Sequence, residues 1–321
     1  MGMPDIARIE FPLGPRTNSV HVIRGGRAAL VIDCGTAADP GEHIVGALLD
    51  LGIDRGDAPW LLLTHCDVDH YGGTAAFAAA FPAARVIAHR DDVPLIMEES
   101  AYLANRACEF SPTWGLDESP ATLKWALAAR RDCFVDLHVT HREIIDLGSR
   151  EIEIMHVPGH SRGHLAVVDP LTRSAIISDA VLGAFVPNAD GTPAFPPTYR
   201  HVDAYLASIE RLRERELECL LTAHYGVFRG SEVEAFLDDS AEFVARVDEV
   251  LSAQLDTCAT EGATLPQLIH ATSASLGSWP AEQAVTTLAP PLVGHLERLI
   301  ERGVVEKVDV NGAIRARWTG R

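Results

Sequence analysis

Apolar residues fall in short continuous runs along much of the chain: "AALVID" (28–33), "WLLLTH" (60–65), "RVIAH" (85–89), "LAVVD" (165–169), "SAIISD" (174–179) and "ECLLTAH" (218–224). Their aliphatic and β-branched character predicts strands buried on both faces. "EIEIMHV" (151–157) alternates instead and predicts a strand with one exposed face. Between these runs lie patterns of helical period, "PGEHIVGALLDLG" (40–52), "GTAAFAAAF" (73–81), "VDAYLASIERLRER" (202–215) and "EVEAFLDDSAEFVARVDEVLSAQL" (232–255). Strands interleaved with helices predict a layered α/β domain.

Two regions depart from this rhythm. Over 92–146 the helix-like segments "VPLIMEESAYLANRA" and "PATLKWALAARR" interrupt the strands and predict an insertion over one edge or over the site, with "FSPTWG" (110–115) offering an aromatic to a pocket. Beyond Cys258 the order is "TLPQLIHATSASLG", "PLVGHLERLIERG" and "VVEKVDVNGAIRARW": two helices, then a hairpin turning at Asn311-Gly312, a type I′ signal. That is the order of a winged-helix module, so the chain divides into a large domain over 1–255 and a small one over 256–321. The stretch from Glu261 to Arg321 carries six acids and six bases, so this module is expected to pack or to form a homodimer rather than grip DNA.

Composition narrows the partners. With 321 residues, 47% of them hydrophobic, the chain can bury a substantial core. A formal charge of −18 without a Lys/Arg-rich block argues against nucleic acid and anionic lipid. The first residues, "MGMPDIARIEFPLGPRTNS", have no apolar stretch after a basic start, and no run approaches a membrane span; a cytoplasmic protein with no membrane partner is expected. Six scattered cysteines with no CxxC pair fit reduced thiols better than a zinc ribbon or a redox dithiol.

Chemistry concentrates at the ends of the apolar runs. "LLLTHCDVDHYGG" (61–73) places His65, Asp67, Asp69 and His70 directly after a buried strand, and "HVPGHSRGH" (156–164), "IISDA" (176–180) and "LLTAHYG" (220–226) each put a His or Asp at a strand end before a loop. Ligands from several strand ends converge on one rim in layered α/β folds. Imidazoles and carboxylates without a cysteine cluster suit a borderline or fairly hard divalent cation in an open site. The candidate ligands are His65, Asp67, Asp69, His70, His160, Asp179 and His224. The histidines at 21, 89, 138, 141, 201, 270 and 295 are read as satisfied polar side chains.

"THCDVDHYGG", "PGHSRGH", "SDA" and "AHYG" resemble the successive metal motifs of the metallo-β-lactamase superfamily, over about the first 255 residues. The C-terminal module is similar to the winged-helix extension of one hydrolase branch. The resemblance implies a four-layer αββα sandwich and a metal-dependent hydrolase acting on a small ester, thioester, lactone or amide. It implies two divalent ions, zinc first, with His65, residue 67 and His160 on one, Asp69, His70 and His224 on the other, and Asp179 bridging. Asp69 would also orient the nucleophilic water, and Asp33 in "VIDCG" would order the ligands. His164 and Tyr225 are candidates for substrate contact or for support of the ligands, and Arg162 for meeting an anionic group.

Asp67 is the departure, because most of the superfamily has His there. A third carboxylate shifts preference toward harder metals such as iron or manganese and makes a bound water less acidic. Three outcomes follow: a dimetal site with altered preference, one metal held firmly at the second position, or a degenerate site. The flavodiiron proteins resemble this pattern in using a carboxylate at this position, which keeps a di-iron oxidoreductase or iron-dependent dioxygenase as the alternative. No flavin-binding domain is legible in the chain, so hydrolysis is preferred; a non-catalytic metal-binding module ranks third.

Overall fold

The computed structural model describes residues 6–131, 133–258 and 261–319. Two six-stranded sheets form its centre. The first runs in order β1 (Ile6–Leu13), β2 (Arg16–Arg24), β3 (Ala29–Ile32), β4 (Trp60–Leu62), β5 (Arg85–His89) and β6 (Leu137–Val139), antiparallel up to β3 and parallel beyond it. The second sheet is built from β7 (Glu143–Asp146), β8 (Glu151–His156), β9 (Leu165–Asp169), β10 (Ser174–Ser178), β13 (Cys219–Thr222) and β14 (Val227–Arg229). Its spatial order is β14-β13-β10-β9-β8-β7. β11 (Val186–Pro187) and β12 (Pro193–Phe195) pair as a small ribbon beside it.

The period of two sets the layering. Leu30, Ile32, Leu62 and Ile87 from the first sheet meet Ile152, Ile154, Leu165, Val167, Ile176 and Leu221 from the second in one apolar layer. Their neighbours in sequence point the other way: Val31, Leu61, Leu63, Val86 and Ala88 pack on helices with Ile44, Leu48 and Phe77. Likewise Ala166, Val168, Ala175, Ile177 and Leu220 pack on helices with Ile209, Val244 and Leu251. Strands buried on both faces lose their polar alternation, which is why these runs read as continuous. The result is the four-layer αββα arrangement expected.

β1 and β2 pair over their whole length, from Ile6 opposite Ile23 to Leu13 opposite Arg16. Neither is an apolar run: β1 alternates Ile9 and Phe11 with Arg8 and Glu10, and β2 buries Asn18, Ser19 and His21. Between β5 and β6 the chain is helical in short pieces, Val93–Met97, Glu99–Tyr102, a wide turn over Leu103–Ala107, Ser111–Trp114 and Pro120–Ala129. The helical stretch ends before Leu137, where β6 and then β7 add the last strand to each sheet.

A 27-residue helix, Ser231–Thr257, lies on the second sheet, and three shorter ones follow, Leu265–Leu276, Ala281–Thr287 and Ala289–Glu301. The chain closes with the hairpin β15 (Val305–Val310) and β16 (Ala313–Trp318), turning at Asn311 (φ 56°) and Gly312 (φ 82°). Both angles are those a type I′ turn requires. Two helices were expected before the hairpin; the extra one, Ala281–Thr287, is a short segment opened by Pro280. One apolar cluster runs from Val157 and Ile177 through Val244 and Leu251 to Leu268, Leu292 and Ala316, so this region shares its core with the second sheet. Among the described residues no helix is long and apolar enough to cross a membrane.

Candidate metal centre

His65 follows β4 by three residues, Asp179 follows β10 directly, and His224 lies two residues past β13. His160 sits in the loop between β8 and β9. A short helix, Val68–Tyr71, carries Asp69 and His70, with Asp67 at its N-cap in extended backbone (φ −86°, ψ 138°). All seven predicted ligands therefore meet on one rim. His65, Asp67 and His160 bring one ligand atom each to within 4.8 Å of one another, as do Asp69, His70 and His224, and also His65, His70 and Asp179.

Each imidazole is aimed by its other nitrogen. His65 Nδ1 meets Thr64 Oγ1 at 3.0 Å, His70 Nδ1 meets Asp33 Oδ2 at 3.0 Å, His224 Nδ1 donates to the Thr17 carbonyl at 2.9 Å, and His160 Nδ1 lies 3.3 Å from Thr198 Oγ1. Nε2 of His65, His70 and His224 is thereby left toward the centre, as metal-ligating histidines require, and Nε2 of His160 toward Asp67. Asp33 binds the frame together: its carboxylate accepts from the Thr64 amide at 2.8 Å, from Thr64 Oγ1 at 2.8 Å and from Ser178 Oγ at 2.9 Å. It sits at φ 66°, a left-handed conformation that Asp tolerates better than most residues.

The donor set fits a divalent cation. Nε2 of His65, Nε2 of His70 and Oδ1 of Asp179 are buried without any hydrogen-bond partner. Buried polar atoms are seldom orphaned, and three converging on one point mark a place built for something they all bind. Electrostatics agrees: burial opposes charge on His70, but Asp69, Asp179 and Asp33 outweigh it and push its pKa from 6.5 up to about 10, a proton standing where a cation would serve. Burial alone would raise the Asp179 carboxyl, yet His224 and His70 hold it well below the usual range.

A test follows from His70. Because its folded pKa is raised, its contribution to stability is fully present below pH 6.5 and lost as the pH rises through about 10. Urea unfolding of metal-free protein is expected to show stability falling across that window, and saturation with a divalent cation to remove the slope.

Asp67 differs from the other candidate ligands. Its two oxygens accept from Arg106 Nε and Nη2 at 2.6 Å each, and Oδ2 also lies 2.8 Å from His160 Nε2. Burial opposes ionisation of Asp67, but Arg106 and the two histidines hold its carboxyl well below the usual range. Arg106 was missed in the sequence because nothing in its helical surroundings, "YLANRA", marks it as part of a site. Two other residues were missed. Asp92 accepts from Ser161 Oγ (2.6 Å) and the Gly163 amide (2.7 Å), fixing the loop that carries His160, and Asn18 Nδ2 donates to the Asp69 carbonyl at 2.7 Å.

The rim is the floor of a cleft of about 550 Å³. Phe110, Leu116, Leu123 and Trp125 from the helical stretch form one apolar wall, Leu13, Arg16 and Phe195 a second, and Gln283, Thr286, Thr287 and Pro290 a third. His164 and Tyr225 are not among the lining residues. His164 is fully buried behind the rim, its ring stacked on His65 at 4.5 Å. The Tyr225 hydroxyl donates to the carbonyls of Leu182 and Phe185. Of the two roles expected for them, support of the ligands fits these positions and substrate contact does not. Arg162 is exposed and also lies outside the cleft.

A rim of His and Asp ligands at the strand ends of an αββα sandwich defines a metal-dependent hydrolase. The family model of the metallo-beta-lactamase superfamily matches residues 13–224, and the chain belongs to that superfamily. It is 28% identical over 232 residues to acyl-coenzyme A thioesterase MBLAC2 of Gallus gallus, covering 68% of this chain and 76% of the relative. It is 28% identical over 155 residues to a hydroxyacylglutathione hydrolase of Aeromonas hydrophila, covering 46% of this chain and 41% of the relative. Among solved structures, a metallo-beta-lactamase family protein of Thermus thermophilus shares the fold with a TM-score of 0.72 at 20% identity, over 98% of this chain and 99% of that one. A beta-lactamase domain protein of Burkholderia ambifaria does so at 0.73 and 18%, over 99% and 93%.

Proposed function

We propose that the chain hydrolyses thioesters that join an apolar acyl group to a small thiol. The observation that carries this reading is the cleft itself, in which Phe110, Leu116, Leu123 and Trp125 form an apolar wall beside the rim of His and Asp donors. A thiol of pKa about 8.5 departs as thiolate unaided, whereas an alcohol or amine needs a proton as it leaves. The names of the two curated relatives, both hydrolases of thioester-type substrates, support the same class, and the apolar wall from Phe110 to Trp125 suits an acyl chain.

In this reading Asp69, His70, Asp179 and His224 hold a divalent cation, which when bound supplies a water of lowered pKa and positive charge beside the substrate oxygen. Asp69 lines the cleft, with Oδ2 at 3.8 Å from His70 Nε2 and 3.6 Å from His224 Nε2. Its carboxylate accepts a hydrogen bond from the attacking water and turns that water's lone pair toward the carbonyl carbon. The assay is thiol release from matched thioesters, oxygen esters and lactones. Thioesters are expected to be favoured by about 100-fold or more over the matched oxygen esters, because a thiolate departs without the general acid that an alkoxide needs. Equal rates on the matched oxygen ester would overturn the proposal.

Arg16 extends it. Its guanidinium lies over the Phe195 ring, 4.9 Å from the centroid, on the cleft wall, and among the described residues no carboxylate pairs with it. It replaces Arg162 as the residue to meet an anionic group on the substrate. Arg16→Ala is expected to raise KM for a carboxylate-bearing thioester about tenfold with kcat little changed, the signature of lost ground-state binding; equal KM for charged and uncharged thioesters in both proteins would remove this role.

In the same reading residues 1–255 are the catalytic unit, 256–321 a winged-helix-like module that walls the cleft, and zinc the cation, in a cytoplasmic protein. A homodimer through that module is tested by sedimentation. The di-iron alternative drew on the extra carboxylate at 67, whose charge Arg106 offsets; oxygen consumption by iron-loaded protein would restore it.

A further inference from the structure

We infer that this centre holds a single divalent cation, on Asp69, His70, Asp179 and His224, and that the Arg106 guanidinium takes the place of the other, with Asp67 as its counter-ion. The two halves of the rim differ in what their donors already do. On one side, Nε2 of His70 and Oδ1 of Asp179 have no partner and converge with His224, whose Nε2 lies 3.3 Å from Asp179 Oδ2; His65, whose Nε2 is equally unpartnered, brings a ligand atom to within 4.8 Å of those of His70 and Asp179 and so faces the same cation. On the other, Asp67 is engaged by a bidentate guanidinium at 2.6 Å through each oxygen. His160 Nε2 stands 2.8 Å from Asp67 Oδ2 and 3.1 Å from Arg106 Nη2. In one tautomer that nitrogen donates to Asp67, in the other it accepts from Arg106; in both its lone pair is unavailable to a metal. Arg106 Nη1 adds a bond to the His160 carbonyl at 3.3 Å, so four contacts fix the guanidinium, which is only 15% exposed.

Charge gives the same count. Asp67, Asp69 and Asp179 carry three formal negative charges and Arg106 returns one positive, leaving the two that one divalent cation offsets. A second cation beside Asp67 would have to break a bidentate ion pair and lie next to the displaced guanidinium, a like charge in a buried setting. This also explains the aspartate. An imidazole at 67 could not accept from a guanidinium in bidentate fashion, so the departure from His and the presence of Arg106 are one feature. Arg106 is thus a positioning residue that acts on the centre through Asp67 and His160.

The inference rests on the reading of the rim as a metal centre, and metal stoichiometry separates the two. Metal-free protein is titrated with zinc and, separately, with manganese by calorimetry, and the metal retained after dialysis is measured by elemental analysis. The wild type is expected to bind one equivalent, any second being weaker by roughly 100-fold. Arg106→Met releases Asp67 and His160 and is expected to bind two, while Arg106→Lys keeps the charge and is expected to bind one. Arg106→Gln serves in place of Arg106→Met if circular dichroism shows that variant unfolded. Two equivalents of comparable affinity in the wild type, or a single one after loss of the arginine charge, would overturn the inference. Binding of no metal by any of these proteins would overturn the metal reading itself.

Discussion

Replacing His70 by alanine is expected to lower kcat/KM by about 1000-fold or more, because the metal's share of catalysis amounts to several kcal/mol and each 1.4 kcal/mol is tenfold. His70 is fully buried and both its nitrogens are committed, Nδ1 to Asp33 and Ser178, Nε2 to the centre. Without it Asp33, Asp69 and Asp179 lose the imidazole that each of them faces. Wild-type protein stripped by a chelator should lose activity to the same extent and regain it on adding metal, whereas the variant should regain nothing. Elemental analysis beside the rate measurement decides the matter: a variant that keeps its metal and works within tenfold of wild type would show that the cation sits elsewhere.

Asp33→Ala is expected to cost about 3 kcal/mol or more of folding stability, read from urea unfolding, and to weaken metal binding by 10- to 100-fold. The carboxylate is 2% exposed and accepts from Thr64 twice and from Ser178, besides orienting His70. Truncation leaves these donors buried without a partner, the costly side of the hydrogen-bond balance. It also puts alanine at φ 66°, which a side chain unable to bond locally tolerates poorly. Asp33→Asn keeps the size and the backbone preference, and should fall between the two in stability while still binding metal poorly, because its amide cannot accept from all four groups. An alanine variant as stable as the wild type would mean that the aspartate is not the tie between β3, β4 and β10 described above.

The features legible in the sequence were those with one physical cause. Strands buried on both faces appear as unbroken aliphatic runs, and β3, β4, β5, β9, β10 and β13 were found where the runs lie. The clustering of the candidate ligands was legible because strands ending in His or Asp recur four times, and the structure brings those residues to one rim. β2 was hidden by the polar residues it buries, among them Asn18, which bonds to the backbone of the rim. β6, with Leu137 and His138 exposed, gives no apolar pattern at all. Arg106 and Asp92 were illegible for a different reason: each serves the site through a contact across more than 30 positions of chain, and a single Arg or Asp in a helical stretch has the same appearance as one facing water. The preference for harder metals drawn from Asp67 alone therefore took no account of the guanidinium that offsets the third carboxylate.

Arg200 joins Glu109, which lines the cleft, to Glu297 of the helix Ala289–Glu301, at 2.7 Å on each side. Selectivity and architecture are consequently inseparable in this molecule. A fragment cut at residue 255 would lose the tether, an entire wall of the cleft and the part of the apolar core shared with the second sheet, so the shape of the cleft and the stability of the sheet behind it depend on the same residues. Drift in the last sixty residues is then a route by which descendants of this protein could change diet without touching a single ligand.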